Sequence, residues 1–339
     1  MKACLIGLGR MGIRHLEALK NLGIEISGLA DLRAELFDNA KNILESPDSI
    51  EFSTDPNALI KKLRPEVVVI ATTATSHYQY VMEAANNGAK FILCEKPMAT
   101  SIGQCEEMIK VCNEKKIKLA INHPVRFTEA DIEIKNLVNS AKFGGIESIT
   151  INVGNYGIAM NAGHDIEMFK FLTNDQPKFV QAWLDEKTLP NPRGPEFVDR
   201  SGILKITTRT GKTLFINTKA THGHGAFVIY TSKNGQLFYD ALTDQAYANY
   251  RQEEHRDAPT NQYAKPSNVE NLKFSSSSLV ERTGKVLSEL INNGNYPSGE
   301  DVISTIKCLV AAYVSNENNN SVIDIENFPL PKDRVFPWA

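Results

Sequence analysis

The sequence predicts an α/β fold in two parts. Residues 1–121 read as an N-terminal Rossmann-type, doubly wound parallel sheet. Residues 122–339 read as a C-terminal α+β domain on a large, mostly antiparallel sheet. Three observations predict this. The first part alternates short apolar runs with segments of helical period, the mark of repeated βα units. Its run VVVIA (67–71) is apolar throughout, as a parallel strand covered on both faces must be. Beyond residue 122 the runs alternate with period two, and TRTGKT and SKNGQ carry hairpin turn signals between them.

The elements follow in order. ACLIGL (3–8) is a buried strand, and a helix from about residue 12 carries Ile13, Leu16 and Leu19 on one face. EISGLAD (25–31) is the next strand and ELFDNAKNIL (35–44) the next helix. TDPNALI (54–60) starts a helix with Asp55 as cap and Pro56 at its first position. HYQYVMEAANNG (77–88) is helical and closes on a glycine. FILCEKP (91–97) is a strand, residues 102–116 a helix and KLAIN (118–122) a last strand. In the second part a helix over 129–139 precedes strands at 147–156, 177–184, 202–209, 212–219, 227–232 and 235–240. Residues 243–278 are polar and read as a long loop. Helices follow at 278–292 and 300–315, the second able to pack back on the first domain. Residues 316–321, rich in Asn, read as an exposed loop. Trp183, Phe169 and Phe179 are read as core.

At 339 residues the chain exceeds one typical core. Its 42% hydrophobic and 23% charged residues are those of an ordinary globular protein. A net charge of −3 without a basic stripe argues against nucleic acid and anionic membranes as partners. No apolar run approaches the roughly 20 residues of a membrane span, and none near the start resembles a secretory leader. Five cysteines form no CxxC pair and no metal-ligand spacing, so we expect no metal and a reduced, cytoplasmic setting. His222 and His224, at strand spacing without a third ligand, do not change this.

Gly7-Leu8-Gly9-Arg10-Met11-Gly12 is GxGxxG directly after a strand and at the start of a helix. The first two glycines permit a tight turn and close approach to a pyrophosphate; the third lets helix and strand pack, and the helix end offers N–H donors. A second strand ends at Asp31, nineteen residues beyond Gly12, where a carboxylate accepts from ribose hydroxyls and repels a 2′-phosphate. That favours NAD; Arg33, able to pair with a 2′-phosphate, leaves NADP open. Three later strand ends on the same edge carry polar groups: Thr72 and Thr73 with His77, Glu95-Lys96-Pro97, and Asn122-His123 with Arg126.

These stretches, IATTATSHYQYVMEAANNGAKFILCEKPMA (70–99), INHPVRF (121–127) and FGGI (143–146), resemble the glucose–fructose oxidoreductase / inositol dehydrogenase family, Gfo/Idh/MocA. The resemblance is close over about the first 145 residues and weaker beyond. It implies an open second sheet and a nicotinamide cofactor at the domain interface. Lys96 would touch both cofactor and substrate, with Glu95 and Pro97 shaping its turn and Thr72 and His77 along the nicotinamide half. It also implies a sugar, inositol or nucleotide-sugar substrate, a role in surface-polysaccharide or nucleotide-sugar metabolism, and a homodimer or homotetramer formed through the second sheet.

Hydride exchange at an alcohol carbon needs a group to move the hydroxyl proton, most often histidine. NYGIAMNAGHDIEMFKFL (155–172) resembles the family segment that supplies it, which makes His164 the acid/base candidate on a helix beginning near Asp165. The fit has gaps: Met160 stands where relatives carry an aspartate, Glu167 where they carry another, and Thr73 where proline is frequent. Asn122, Arg126, Asn155 and His224 are candidate substrate contacts, Arg126 as a fork for a diphosphate. Two other classes stay open, a non-catalytic NAD(P)-binding regulator and an NAD-dependent glycosidase.

Overall fold

The computed structural model describes residues 1–154, 156–186, 188, 190–223, 225–258 and 265–338. In chain order the elements are β1 (Lys2–Ile6), α1 (Arg10–Asn21), β2 (Glu25–Ala30), α2 (Phe37–Lys41), β3 (Glu51–Ser53), α3 (Pro56–Leu63), β4 (Val67–Ile70), α4 (Ala74–Asn86), β5 (Phe91–Cys94), α5 (Ile102–Glu114) and β6 (Lys118–Ile121). Then come α6 (Glu129–Val138), β7 (Ile146–Val153), α7 (Gly163–Thr173), β8 (Pro177–Leu184), β9 (Gly202–Thr208), β10 (Thr213–Asn217), β11 (Ala226–Ser232), β12 (Gly235–Asp240), β13 (Gln245–Arg251) and β14 (Ser267–Lys273). The chain closes with α8 (Leu279–Ile291), α9 (Gly299–Glu317) and β15 (Ile323–Asp324).

Two compact units result. The first contains Met1–Pro124, Ser277–Ile306 and Pro331–Ala339; the second contains Val125–Ser276 and Lys307–Leu330. The expected boundary at 121/122 thus falls three residues early, and the C-terminal part is not one continuous domain. Helix α8 explains the difference, because Ala18 of α1 lies 3.8 Å from where a Cβ on Gly284 would stand. Thr283, Gly284, Val286, Leu287 and Leu290 are the residues of α8 that bury.

In the first unit, six strands run in the order β3-β2-β1-β4-β5-β6, every neighbouring pair parallel. That is a Rossmann order, whose strand sequence reverses between β1 and β4. Val67, Val68, Val69 and Ile70 are fully buried, as their uninterrupted apolar run requires. Asp55 caps α3 by accepting from the Ala58 N–H at 3.0 Å, with Pro56 in the first turn. The expected helix over 35–44 shrinks to a short 3₁₀ turn followed by α2, and β3 appears where no strand was expected.

In the second unit, nine strands run β14-β13-β12-β11-β7-β10-β9-β8-β15; β10 and β7 are parallel and the other pairs antiparallel. One face is buried through Ile149, Ile151, Leu204, Ile206, Leu214, Ile216, Tyr230 and Leu237. The other face is exposed. Residues 243–278 are not simply a loop. β13 enters the sheet because Ala246 and Ala248 supply small inward residues, and β14 pairs with it along all seven positions despite its polar sequence. Trp183, expected in the core, is 43% exposed, since strand alternation buries Ala182 and Leu184 and turns it outward. Phe179, in the same outward register, is half-buried, whereas Phe169 is fully buried. Residues 316–321 are likewise more than an exposed loop: Asn316 Oδ1 accepts the Leu184 N–H at 2.8 Å, and Asn320 Nδ2 donates to the Ala182 carbonyl at 2.7 Å.

Candidate active site

The glycine loop follows β1, at the reversal of strand order. Gly7 has φ +92°, and a Cβ there would lie 2.6 Å from the Ala71 carbonyl oxygen, so only glycine fits. A Cβ on Gly12 would lie 1.9 Å from the Gly7 oxygen. Gly9 differs: nothing stands within 4 Å of its Cβ position. The protein leaves that side open, as close approach of a pyrophosphate requires. Gly9 also occupies the N-cap of α1, whose first turn holds no acidic residue, so the positive helix end faces the loop uncompensated. Arg10 is exposed and Met11 half-buried beside them.

Asp31 is 9% exposed. Its Oδ2 accepts the Leu8 N–H at 2.7 Å and its Oδ1 the Arg33 N–H at 2.9 Å, so it clamps the glycine loop as well as offering lone pairs outward. The Arg33 Nε lies 3.6 Å from the same carboxylate. This donor set, an open glycine, a bare helix end and a carboxylate after β2, fits the pyrophosphate and ribose of a dinucleotide.

The remaining strand ends on this edge interlock. The Thr72 hydroxyl accepts from Ser76 Oγ at 2.8 Å, and Thr73 caps α4 through its extended backbone. His77 is fully buried; its Nδ1 donates to the Pro97 carbonyl at 2.8 Å, and Nε2 lies 3.2 Å from the Thr72 carbonyl. It ties the turn after β4 to the turn after β5, where the Lys96–Pro97 peptide is cis. Glu95 is buried, and its Oε1 accepts both from His15 Nε2 and from Asn122 Nδ2 at 2.8 Å. The Lys96 N–H donates to Glu95 Oε2 at 3.2 Å, and the Lys96 side chain is half-buried. Burial alone would raise the Glu95 carboxyl; the His15 bond and charge, the Asn122 bond and the Lys96 charge bring it down to about 2. His15 was not among the expected site residues. Its only signal in the sequence is a polar residue on the buried face of α1, three positions after Gly12.

The second unit carries the other candidates. A π-helical turn, Ile158–Ala162, leads into α7, and His164 is the second residue of that helix, half-buried. Ile166, Phe169 and Leu172 anchor α7 as expected. Asp165 is engaged elsewhere: the Tyr156 hydroxyl donates to its Oδ2 at 2.8 Å. Burial pushes the Asp165 carboxyl up to about 6, with the Tyr156 bond opposing. At the position of the missing aspartate, the Met160 N–H donates to Asp199 Oδ2 at 2.7 Å and the Ala159 N–H to Asp199 Oδ1 at 2.9 Å. Asp199 thus brings a carboxylate to this turn from 39 residues away in the chain, which no local pattern reveals. Glu167 pairs with Lys170 at 2.7 Å, both buried. Arg126 is half-buried in this unit. Asn155 and His224 lie outside the described residues. Among the described residues, no cluster of three or more His, Cys, Asp or Glu could hold a metal ion.

Residues 1–123 match the family model of oxidoreductases with an NAD-binding Rossmann fold, GFO_IDH_MocA. Over this stretch the chain is similar to the Gfo/Idh/MocA oxidoreductases. The matched stretch is the Rossmann unit, and its fold is that of an NAD-binding domain. Inositol 2-dehydrogenase of Salmonella paratyphi B is 23% identical over 254 residues, 69% of this chain and 72% of that one. Two solved structures share the whole fold. An oxidoreductase from Agrobacterium radiobacter, in complex with NAD+, L-tartaric acid and magnesium, superposes with TM-score 0.76 at 17% identity, covering 96% of this chain and 98% of that one. Levoglucosan dehydrogenase, in complex with NADH and levoglucosan, superposes with TM-score 0.77 at 18% identity, covering 96% and 99%.

Proposed function

We propose that this protein is an NAD-dependent dehydrogenase that exchanges hydride with a secondary alcohol or carbonyl of a sugar, inositol or nucleotide-linked sugar. The observation that carries the reading is the Glu95-Lys96-Pro97 strand end. It stands on the same sheet edge as the glycine loop, with Glu95 tied into the base of α1. The relative named inositol 2-dehydrogenase supports the substrate class. NAD, when bound, supplies the hydride acceptor at nicotinamide C4. Lys96 donates a hydrogen bond to the substrate oxygen and stabilises charge building on it. His164 takes the hydroxyl proton during oxidation and returns it during reduction. Asp31 accepts from the ribose hydroxyls and favours NAD over its 2′-phosphorylated form. Asn122 and Arg126 are proposed substrate contacts, and Arg126 suits a nucleotide-sugar of surface-polysaccharide metabolism.

The test is a panel of inositols, free sugars and nucleotide-sugars, read by nicotinamide absorbance. Net reduction of NAD by at least one member is the expected result. Binding of NAD without turnover of any member favours the regulator, and release of free sugar from an aryl glycoside with no net absorbance change favours the glycosidase.

The exposed face of the nine-stranded sheet supports a homo-oligomer. Trp183, Phe215, Phe227, Phe238 and Tyr247 all stand on it, 38–56% exposed, from five different strands. An apolar field of this extent marks an interaction surface. Light scattering is expected to give a dimer or tetramer for the native chain, and Phe227→Asp with Phe238→Asp is expected to give a smaller species. A monomeric native chain would contradict this. A cytoplasmic setting agrees with five buried free thiols. No helix among the described residues is long and apolar enough to cross a membrane.

A further inference from the structure

We propose that His15 and Glu95 are positioning residues for the reaction, acting as a buried charge chain in which His15 holds the Glu95 carboxylate and Glu95 holds Lys96 in its ammonium form. This rests on the role given to Lys96 above. Two elements reach the Glu95 side chain, and a third stands behind one of them. His15 reaches Glu95 from α1, the helix that the glycine loop opens, and Asn122 reaches it from the end of β6. Thr283 of α8 backs Asn122, whose Nδ2 donates to Thr283 Oγ1 at 3.2 Å. Glu95 itself receives the Lys96 N–H.

A purely structural tie would not need this chemistry. Burying a carboxylate is costly unless it is paired and hydrogen-bonded, and neutral amides tie elements together without that cost. His15 Nδ1 and Asn122 Oδ1 are buried with no hydrogen-bond partner among the described residues. Such orphans are rare in native interiors. What the arrangement secures is a permanent negative charge at the residue preceding Lys96.

Titratable and neutral groups both face that charge. His15 comes from α1, and Cys94 and Lys96 flank Glu95 in sequence; β6 and α8 contribute the neutral Asn122 and Thr283. Burial pushes the Cys94 thiol far up, so it stays neutral. The Lys96 charge helps to keep Glu95 ionised, and the attraction is mutual, so the Glu95 anion favours the Lys96 ammonium. Without His15, Glu95 loses the hydrogen bond and the charge that do most to hold it ionised, and its pull on the Lys96 ammonium weakens.

The test is the pH profile of kcat/KM for the NAD-loaded native enzyme and for Glu95→Gln, His15→Leu, His15→Gln and the double variant Glu95→Gln/His15→Leu. Loss of activity at alkaline pH reports deprotonation of Lys96, and loss at acid pH reports His164 or its neighbour Asp165. In Glu95→Gln the alkaline limb is expected to move down by about one pH unit, with the acid limb unmoved. His15→Leu should shift it similarly, the double variant no further than Glu95→Gln, and His15→Gln, whose amide can still donate to Glu95, should keep the native profile. An alkaline limb that stays in place in Glu95→Gln, with only the melting temperature lowered, would overturn the proposal. A second measurement needs no turnover and leaves Glu95 and His15 in place. The lysines of the native chain are methylated with ¹³C, Lys96 is assigned by its loss in Lys96→Arg, and its resonance is titrated. A midpoint at or above the ordinary lysine value of about 10.4 supports the chain, and a depressed midpoint overturns it. Absence of turnover in the native enzyme counts against the dehydrogenase reading instead, and this titration then decides the charge chain by itself.

Discussion

Lys96→Met is expected to lower kcat by about 10²–10³-fold, the loss seen when one preorganised donor to a developing oxyanion is removed. Methionine keeps the length and apolar stem of lysine and removes the charge. The half-buried side chain can therefore be replaced without opening a cavity. Affinity for NAD should change by less than about threefold, because the proposed pyrophosphate and ribose contacts, at Gly9, the end of α1 and Asp31, are unchanged in the variant. Steady-state kinetics and fluorescence titration of NADH together check both halves of this expectation. Undiminished turnover in Lys96→Met would remove the lysine from the chemistry.

The second large effect is expected at His164. His164→Asn should lower kcat by about 10²–10⁴-fold at neutral pH, the contribution typical of a positioned general base. The deficit should shrink as pH rises, since the alcohol then loses its proton more readily without help. The acid limb of the native profile should vanish in the variant. Asp165, with its carboxyl pushed up to about 6, is a second group that could shape that limb. Asp165→Asn separates the two: a limb that survives this change belongs to His164.

Much of the first unit was legible because a βα unit is local. Each strand end, with its Thr72, Glu95-Lys96 or Asn122, sits next in sequence to the strand that positions it, and parallel order then gathers these ends on one edge. What knits the ends together was not legible. The bonds from Glu95 to His15 and Asn122 span 80 and 27 residues, and that from Asn122 to Thr283 spans 161. Loop closure over such distances leaves no periodic trace. The assignment of α8 to the first unit was missed for the same reason. In the second unit, alternation identified the strands but not which register faces the core, so Trp183 was placed inside when Ala182 and Leu184 take that face. β13 and β14 were hidden by polar composition, since an edge strand is held by its pairing more than by its own residues. Around His164, the resemblance singled out the histidine and the aspartate replaced by Met160. It could not find Asp199, whose carboxylate arrives on the Met160 backbone from a distant segment.

Hydride transfer between a carbinol carbon and the nicotinamide is the core of the account, and isotopic labelling addresses it directly. The native protein is incubated with NAD and with the best substrate of the panel deuterated at its carbinol carbons, and the reduced cofactor is analysed by mass spectrometry. One deuterium per molecule of NADH formed is the predicted result. NADH without deuterium, or deuterium washed into solvent with no NADH accumulating, would contradict it.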